Sequence, residues 1–397
     1  FIAITFCRVE MLQVGDILLS LLPLSHAVER SMGYYALLMA GGIICYSRGT
    51  EFFAEDVLEI RPNIGVFVPR VFEKVYNGIQ AKVATAPAGK QKLFNRAVAV
   101  GKEAAPYFMA NRKLPFMLGL KYKLFDKLIF SKLKETMGFE RTRVFGAAGA
   151  PLFPEIHDFF WGLNMQIRKG YGLTETSPVL NVDGDPSIMP IKSNGWITPF
   201  PGALLKIAED GEILAKGPGI MLGYLNMPEQ TREMFTEDGW LKTGDIGVLD
   251  SEGYLKITDR KKDIIVTSGG KNVAPQVLEN TFASHPFIEQ IAVLGDGRQY
   301  IVALIVPNFE TTIEWAAKEG ISGLSNEELV TNKQVINKFT AIIEQINQNF
   351  GRVEQVKKFR LMPREFTEEA GELTPTLKLK RKVIMSKYEK EIQSLYE

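Results

Sequence analysis

The residues of this chain best suited to chemistry lie in a few polar turns. Tyr171–Pro178, YGLTETSP, follows a strand-like run and puts an aromatic ring, a glycine, hydroxyls and a carboxylate into one turn. Ligands of open α/β sheets sit beyond the carboxyl ends of the strands. There Tyr171 could stack on a flat base, Thr174 could bond a phosphate oxygen, and Glu175 could hold Mg2+, a hard ion that takes oxygen ligands. Thr-Glu-Thr-Ser equally suits a helix-capping turn. Upstream, GAAGAPL (Gly146–Leu152) has strand-turn form. Its small residues either let a planar ligand approach the backbone or simply make a tight turn.

Further along, KTGDIG places Asp245 on a turn, where a carboxylate can take two ribose hydroxyls or close an Asx-type turn. Arg260 offers planar donors for a ribose or a phosphate. His26, in LPLSHAVER, is a lone histidine after an apolar run, either a ligand contact or a satisfied buried group. The segment GELTPTLKLKRKV carries Lys378, Lys380, Arg381 and Lys382. A charge run of this kind is commonly a solvated face. Pro375 nevertheless keeps the segment extended, with Lys378 on a loop that has reach. A lysine so placed can stabilise charge developing in phosphoryl or adenylyl transfer.

The elements that must hold these turns are legible in outline. Strands are expected at 42–46, 63–69, 143–146 and 165–169, and helices at 72–83, 92–104, 117–137 and 154–163. Such alternation predicts an α/β sheet covered by helices. From Pro199 short β-runs and Asp-Gly or Gly-Pro turns take over, predicting a β-rich subdomain at about 199–258. The stretch 238–280 organises the rest: a Thr-Gly-Asp turn, a strand-like run at 254–258, a charged break at 259–263, a second run at 264–267, a Gly-Gly-Lys turn and a helix started by Pro275. Strands at 288–294, 300–306 and 358–362, a long helix over 326–350 and a terminal helix then predict a compact α+β unit. The domain division is accordingly 1–259 and 260–397.

Composition narrows the classes. The 397 residues are 46% hydrophobic and 23% charged with a formal net charge of +1, which describes a globular protein and gives no reason to expect nucleic acid. The two cysteines, Cys7 and Cys45, cannot build a disulfide framework and read as buried small apolar residues in a reducing, cytoplasmic compartment. The longest apolar run, 36–46, is too short for a bilayer span of about 20 residues.

In their order, GAAGAPL, YGLTETSP, GWLKTGDIG, DRKKDIIVTSGGKN and LTPTLKLKRK resemble the adenylate-forming enzymes. LPLSHAVER, PNIGVFVPRVFEKVYNGI and ELTPTLKLKRK make the resemblance specific to long-chain fatty acid–CoA ligases. The resemblance implies a large N-terminal α/β domain with a β-rich subdomain, and a small α+β C-terminal lid that turns about a hinge at 259–263. It implies ATP, Mg2+ and CoA, with a long-chain fatty acid as the acid activated. Residue by residue it implies adenine contacts from Gly149, Ala150, Pro151, Tyr171, Gly172 and Leu173, and a phosphate contact from Thr174. Glu175 would bind Mg2+, and Asp245 and Arg260 would hold the ribose. His26 would lie near the acyl carboxylate, Lys262 at the hinge, Gly269 and Gly270 at the pantetheine entry, and Lys378 would be the catalytic lysine of adenylation.

Two departures stand against that pattern. A phosphate loop of the T-S-G-T-T-G-x-P-K-G kind is expected upstream of GDILLSLLPLSH and is not among the 397 residues, nor is there an initiator Met, so the sequence reads as a C-terminal portion of a longer protein. Ala147 and Ala148 stand where the fatty-acid branch has Ser and Gly. Two alternatives follow: a non-catalytic acyl- or nucleotide-binding remnant, or a ligase that loads a carrier protein's pantetheine. Supply of fatty acid favours peripheral contact with the inner membrane face, and LKLKRKVIMSKYEK either touches anionic lipid or is a solvated helix face.

Overall fold

The computed structural model describes residues 1–9, 12–193, 195–374 and 379–397. The chain divides into two compact units, Phe1–Thr243 with Gly247–Ile257, and Gly244–Ile246 with Thr258–Glu397.

The first unit is built on a sheet of β1 (Ile17–Ser20), β2 (Ile43–Tyr46), β3 (Ile64–Phe67), β4 (Val144–Ala148), β5 (Gln166–Tyr171) and β6 (Asn181–Val182), in the order β2-β1-β3-β4-β5-β6. Its first five strands run parallel and only β6 is antiparallel. Residues 64–67 are all buried, as expected of a parallel strand covered on both faces. Strand β1 was not among the expected strands. Helices Ala88–Met109 and Pro154–Gly162 cross backbone to backbone. A Cβ on Gly101 would come within 2.9 Å of the Gly162 carbonyl oxygen, so only glycine permits the crossing. The helix expected over 117–137 is interrupted. Phe116–Phe125 and Ser131–Met137 are α-helical, and the five residues Asp126–Phe130 between them form a π-turn that buries Phe130.

A second sheet has the order β7-β11-β10-β9-β8, from β7 (Trp196–Ile197), β8 (Leu204–Ile207), β9 (Glu212–Lys216), β10 (Leu241–Leu249) and β11 (Leu255–Arg260). Strand β11 runs two residues past the expected 254–258, so Asp259 and Arg260 are strand residues and the charged break shrinks to a turn at 261–263. Asp245 likewise lies within β10 and not on a turn. The Gly-Asp pair that suggested a turn is instead part of the strand, with Gly244 at φ +71°, a conformation that suits glycine.

In the second unit β12 (Ile265–Val266) and β13 (Asn272–Val273) form a short hairpin. Strand β15 (Ile301–Pro307) lies between antiparallel β14 (Ile288–Leu294) and parallel β16 (Val356–Leu361). Alternation along β15 serves two cores. Ile301, Ala303 and Ile305 meet Val335, Phe339 and Ile342. Val302, Leu304 and Val306 meet Ile384, Tyr388 and Ile392. The expected helix over 326–350 is two, Asn326–Thr331 and Lys333–Asn347, because Asn332 leaves helical geometry (ψ 127°) and caps the second through the amides of Gln334 and Val335. Both cysteines are half-buried rather than fully buried, and the Cys7 thiol donates to the Ala36 carbonyl oxygen at 3.0 Å. Among the described residues no helix is long and apolar enough to cross a membrane.

Candidate functional site

Parallel pairing puts the carboxyl ends of β1, β3, β4 and β5 on one edge of the first sheet. His26 lies in the loop after β1, Gly149–Pro151 in the loop after β4, and Tyr171–Glu175 at the end of β5 and beyond. Ala148 sits beside Gly170 in register, so the last two loops leave the sheet as neighbours. Gly149 adopts φ +91°, a left-handed turn that suits glycine, and bends the chain away at that edge.

The turn after β5 bears out the capping reading of its sequence. Thr174–Thr176 form one 3-10 turn, and Thr176, which is buried, does the capping. Its hydroxyl accepts from the Leu173 amide at 2.8 Å and donates to the Leu173 carbonyl at 2.9 Å. That leaves Thr174 exposed and Glu175 half-buried. Gly172 is required by the chain itself, since a Cβ there would fall on the Pro178 carbonyl oxygen. The Tyr224 hydroxyl donates to Glu175 Oε1 at 2.7 Å, and the Met221 amide donates to the Glu175 carbonyl at 2.8 Å. Burial first, and the Glu175 bond second, push the Tyr224 phenol up to about 12, so at neutral pH it is a fixed donor. Tyr224 was not foreseen, because 49 residues separate it from Glu175.

His26 is half-buried, and its Nδ1 accepts from the Val28 amide at 3.3 Å, which puts the proton of the neutral ring on Nε2. Three residues on, Glu29 is buried and neither carboxylate oxygen has a partner within good hydrogen-bonding geometry. Burial raises its carboxyl to about 7; the nearby Ser20 hydroxyl and Leu22 backbone only partly oppose this. Here the sequence carried a signal that went unused, an acid one turn after the histidine in LPLSHAVER.

In the second unit Arg260 Nε lies 3.2 Å from Asp245 Oδ1, joining buried Asp245 on β10 to half-exposed Arg260 on β11. Lys262 is exposed in the turn after β11. Gly269 and Gly270 are exposed at the tip of the β12–β13 hairpin, where a Cβ on Gly270 would meet nothing and Gly270 takes φ +71°. The structure therefore gathers the sequence-derived residues into separate groups: His26, Gly149–Pro151 and Tyr171–Glu175 on one sheet edge, Asp245 with Arg260, and Gly269 with Gly270.

Lys378 lies outside the described residues, but its flanks do not. Leu373 bridges Leu379, and the Lys380 amide donates to the Glu372 carbonyl at 2.8 Å, which closes a hairpin stem. Glu372, fully buried, anchors one side. It accepts a two-pronged Arg364 (2.7 and 3.0 Å), the Tyr388 hydroxyl (2.6 Å), the Thr367 amide (3.0 Å) and an ion pair from Lys387 (3.0 Å). These donors hold its carboxyl down at about 2, against the opposing effect of burial. On the other side Arg381 pairs with Glu279 at 2.6 Å and donates to the Val293 carbonyl at 3.1 Å. Arg381 is thus turned inward, while Lys387, though paired with Glu372, stays exposed, as do Lys380, Lys382 and Lys390.

This arrangement of parallel sheet, β-rich sheet and small α+β unit is the adenylate-forming fold, and the chain belongs to the AMP-binding enzyme family. That family matches residues 2–225, and the AMP-binding enzyme C-terminal domain matches 262–397. The long-chain-fatty-acid–CoA ligase FadD15 of Mycobacterium bovis is 38% identical over 395 residues, 97% of this chain and 63% of the relative. The chain thus spans about 63% of the length of that curated relative. Among solved structures, the adenylation domain of a carboxylate reductase from Mycobacterium chelonae matches with a TM-score of 0.71 at 24% identity, covering 96% of this chain and 54% of that one. The A-PCP didomain of carboxylic acid reductase from Segniliparus rugosus, in complex with AMP, gives 0.67 at 25% identity, covering 96% and 48%.

Proposed function

We propose that the protein carrying this chain converts a long-chain fatty acid, ATP and CoA into acyl-CoA, AMP and pyrophosphate. A carboxylate is a poor electrophile, so it is first given a leaving group. A carboxylate oxygen attacks the α-phosphorus of ATP, the bond to the bridging β-phosphate oxygen breaks, and pyrophosphate departs. The thiolate of CoA then attacks the acyl carbonyl, the bond to the AMP oxygen breaks, and AMP departs.

The observation that carries this reading is the shared sheet edge, with Glu175 aimed by Tyr224. On that edge Tyr171, Gly172, Leu173 and Gly149–Pro151 border the adenine, Thr174 contacts phosphate, and His26 meets the acid with its Nε2 proton. Glu175 fits a hard cation: Mg2+ is usually held by one or two carboxylates, with the substrate's phosphates and water completing its shell. When bound there, such an ion would supply positive charge to offset that of the phosphate oxygens. Asp245 and Arg260 take the ribose hydroxyls, Gly269 and Gly270 pass the pantetheine arm, and Lys378 stabilises the charge of the adenylation step. Lys262 is the pivot about which residues 260–397 change pose between the two steps.

The test is AMP release from palmitate, ATP and CoA by the full-length gene product. No acid-dependent AMP at any chain length would overturn the proposal. Replacing Lys378 by Ala should abolish adenylate formation while leaving thiolation of supplied acyl-adenylate intact; equal loss in both steps would refute the role given to Lys378. Likeness to an A-PCP didomain favours a second reading, transfer to a carrier protein's pantetheine, which a holo-carrier in place of CoA distinguishes.

A further inference from the structure

The helix Phe116–Phe125 is apolar on two opposite faces. Leu118 and Tyr122 are buried against the unit, while Phe116, Met117, Leu120 and Leu124 are 79%, 63%, 52% and 56% exposed. A surface helix ordinarily shows one apolar stripe and a polar outer face. Here 116, 120, 124 and 128 continue the outer stripe at four-residue spacing through the π-turn, with Leu128 also exposed.

Cations border that stripe. On an ideal helix Lys123 falls about 20° to one side of Phe116, and Lys121 about 40° beyond Met117 on the other. Exposed Arg112 and Lys113 precede the helix, and exposed Lys127 and Lys132 follow it. Between 112 and 134 there are seven cations and a single carboxylate, Asp126, which lies 3.6 Å from Lys134, in a chain whose net charge is only +1.

We propose that this face is a docking surface for an anionic lipid bilayer. The five apolar side chains enter the boundary between headgroups and acyl chains, and the flanking lysines meet lipid phosphates. Apolar stripes with basic borders bind bilayers in this way. Charge complementarity selects this occupant. A second copy of the same face would bring two sets of lysines together, whereas an anionic surface neutralises one set. The inference does not depend on the reaction proposed above.

The test is co-sedimentation of the full-length gene product with vesicles of phosphatidylcholine alone or with roughly 30% phosphatidylglycerol. Binding is expected only to the anionic vesicles and should fall in about 0.5 M NaCl. Two triple variants, Phe116→Ser/Leu120→Ser/Leu124→Ser and Lys121→Gln/Lys123→Gln/Lys127→Gln, should each weaken partition at least about tenfold. The replaced side chains are largely solvent-exposed, and an unchanged circular dichroism spectrum verifies folding. Lys382→Gln/Lys390→Gln should bind as the parent does. Absence of binding to anionic vesicles, equal binding to both vesicle types, parent-like binding by either triple variant, or loss only with the Lys382/Lys390 pair would each overturn the proposal.

Discussion

Replacing Glu372 by Gln tests how the stem beside Lys378 is held. The native carboxylate takes five donors, and its pKa falls from 4.5 to about 2. A shift of that size corresponds to about 3 kcal/mol. Arg364 and Lys387 are themselves 47% and 39% exposed, so water screens their part of it, and roughly 2 kcal/mol is the better expectation. Glutamine keeps the shape but presents an amide NH2 to donors, leaving some of them unpaired. The readout is hydrogen exchange at the Lys380 amide, which is bonded to the Glu372 carbonyl and reports opening of the stem. About 2 kcal/mol corresponds to roughly 30-fold faster exchange at neutral pH. The sign with pH follows from the depressed value. The stabilisation is complete above the unfolded carboxyl's 4.5 and is lost as pH falls toward about 2, so variant and parent should converge there. Adenylate formation should slow in the variant more than thiolation does. Unchanged Lys380 exchange at neutral pH, or a gap that persists undiminished near pH 2, would refute the reasoning.

Glu29 should show the opposite pH dependence. Burial raises it from 4.5 to about 7, so the stability it contributes is present below 4.5 and lost as pH rises through about 7, up to about 3 kcal/mol. Urea unfolding should find Glu29→Gln more stable than the parent at about pH 8 and equal to it near pH 4; a constant difference would contradict this. Tyr224→Phe removes the donor to Glu175, and the Mg2+ concentration that half-saturates adenylation should rise about tenfold with little change in KM for the fatty acid. An unaltered Mg2+ dependence would show that Tyr224 does not orient that carboxylate.

The amino-acid sequence by itself determined the alternation of strand and helix, the β-rich stretch, and the order of polar turns that carries the family resemblance. Each of those signals is contiguous, so a few neighbouring residues suffice to state it. The tertiary structure decided which residues of each turn do which work. Thr176 caps, Gly172 makes room for Pro178, and Asp245 proves to be a strand residue where Gly-Asp had suggested a turn. It also supplied the partners: Tyr224 for Glu175 across 49 residues and Glu279 for Arg381 across 102. Hydrogen-bond satisfaction and burial are properties of packing, and no local pattern encodes a donor that arrives from a distant loop. The helix at 116–125 shows the same limit: with apolar residues on both sides, periodicity cannot say which face is inward, and only the packing of Leu118 and Tyr122 leaves Phe116, Leu120 and Leu124 outside.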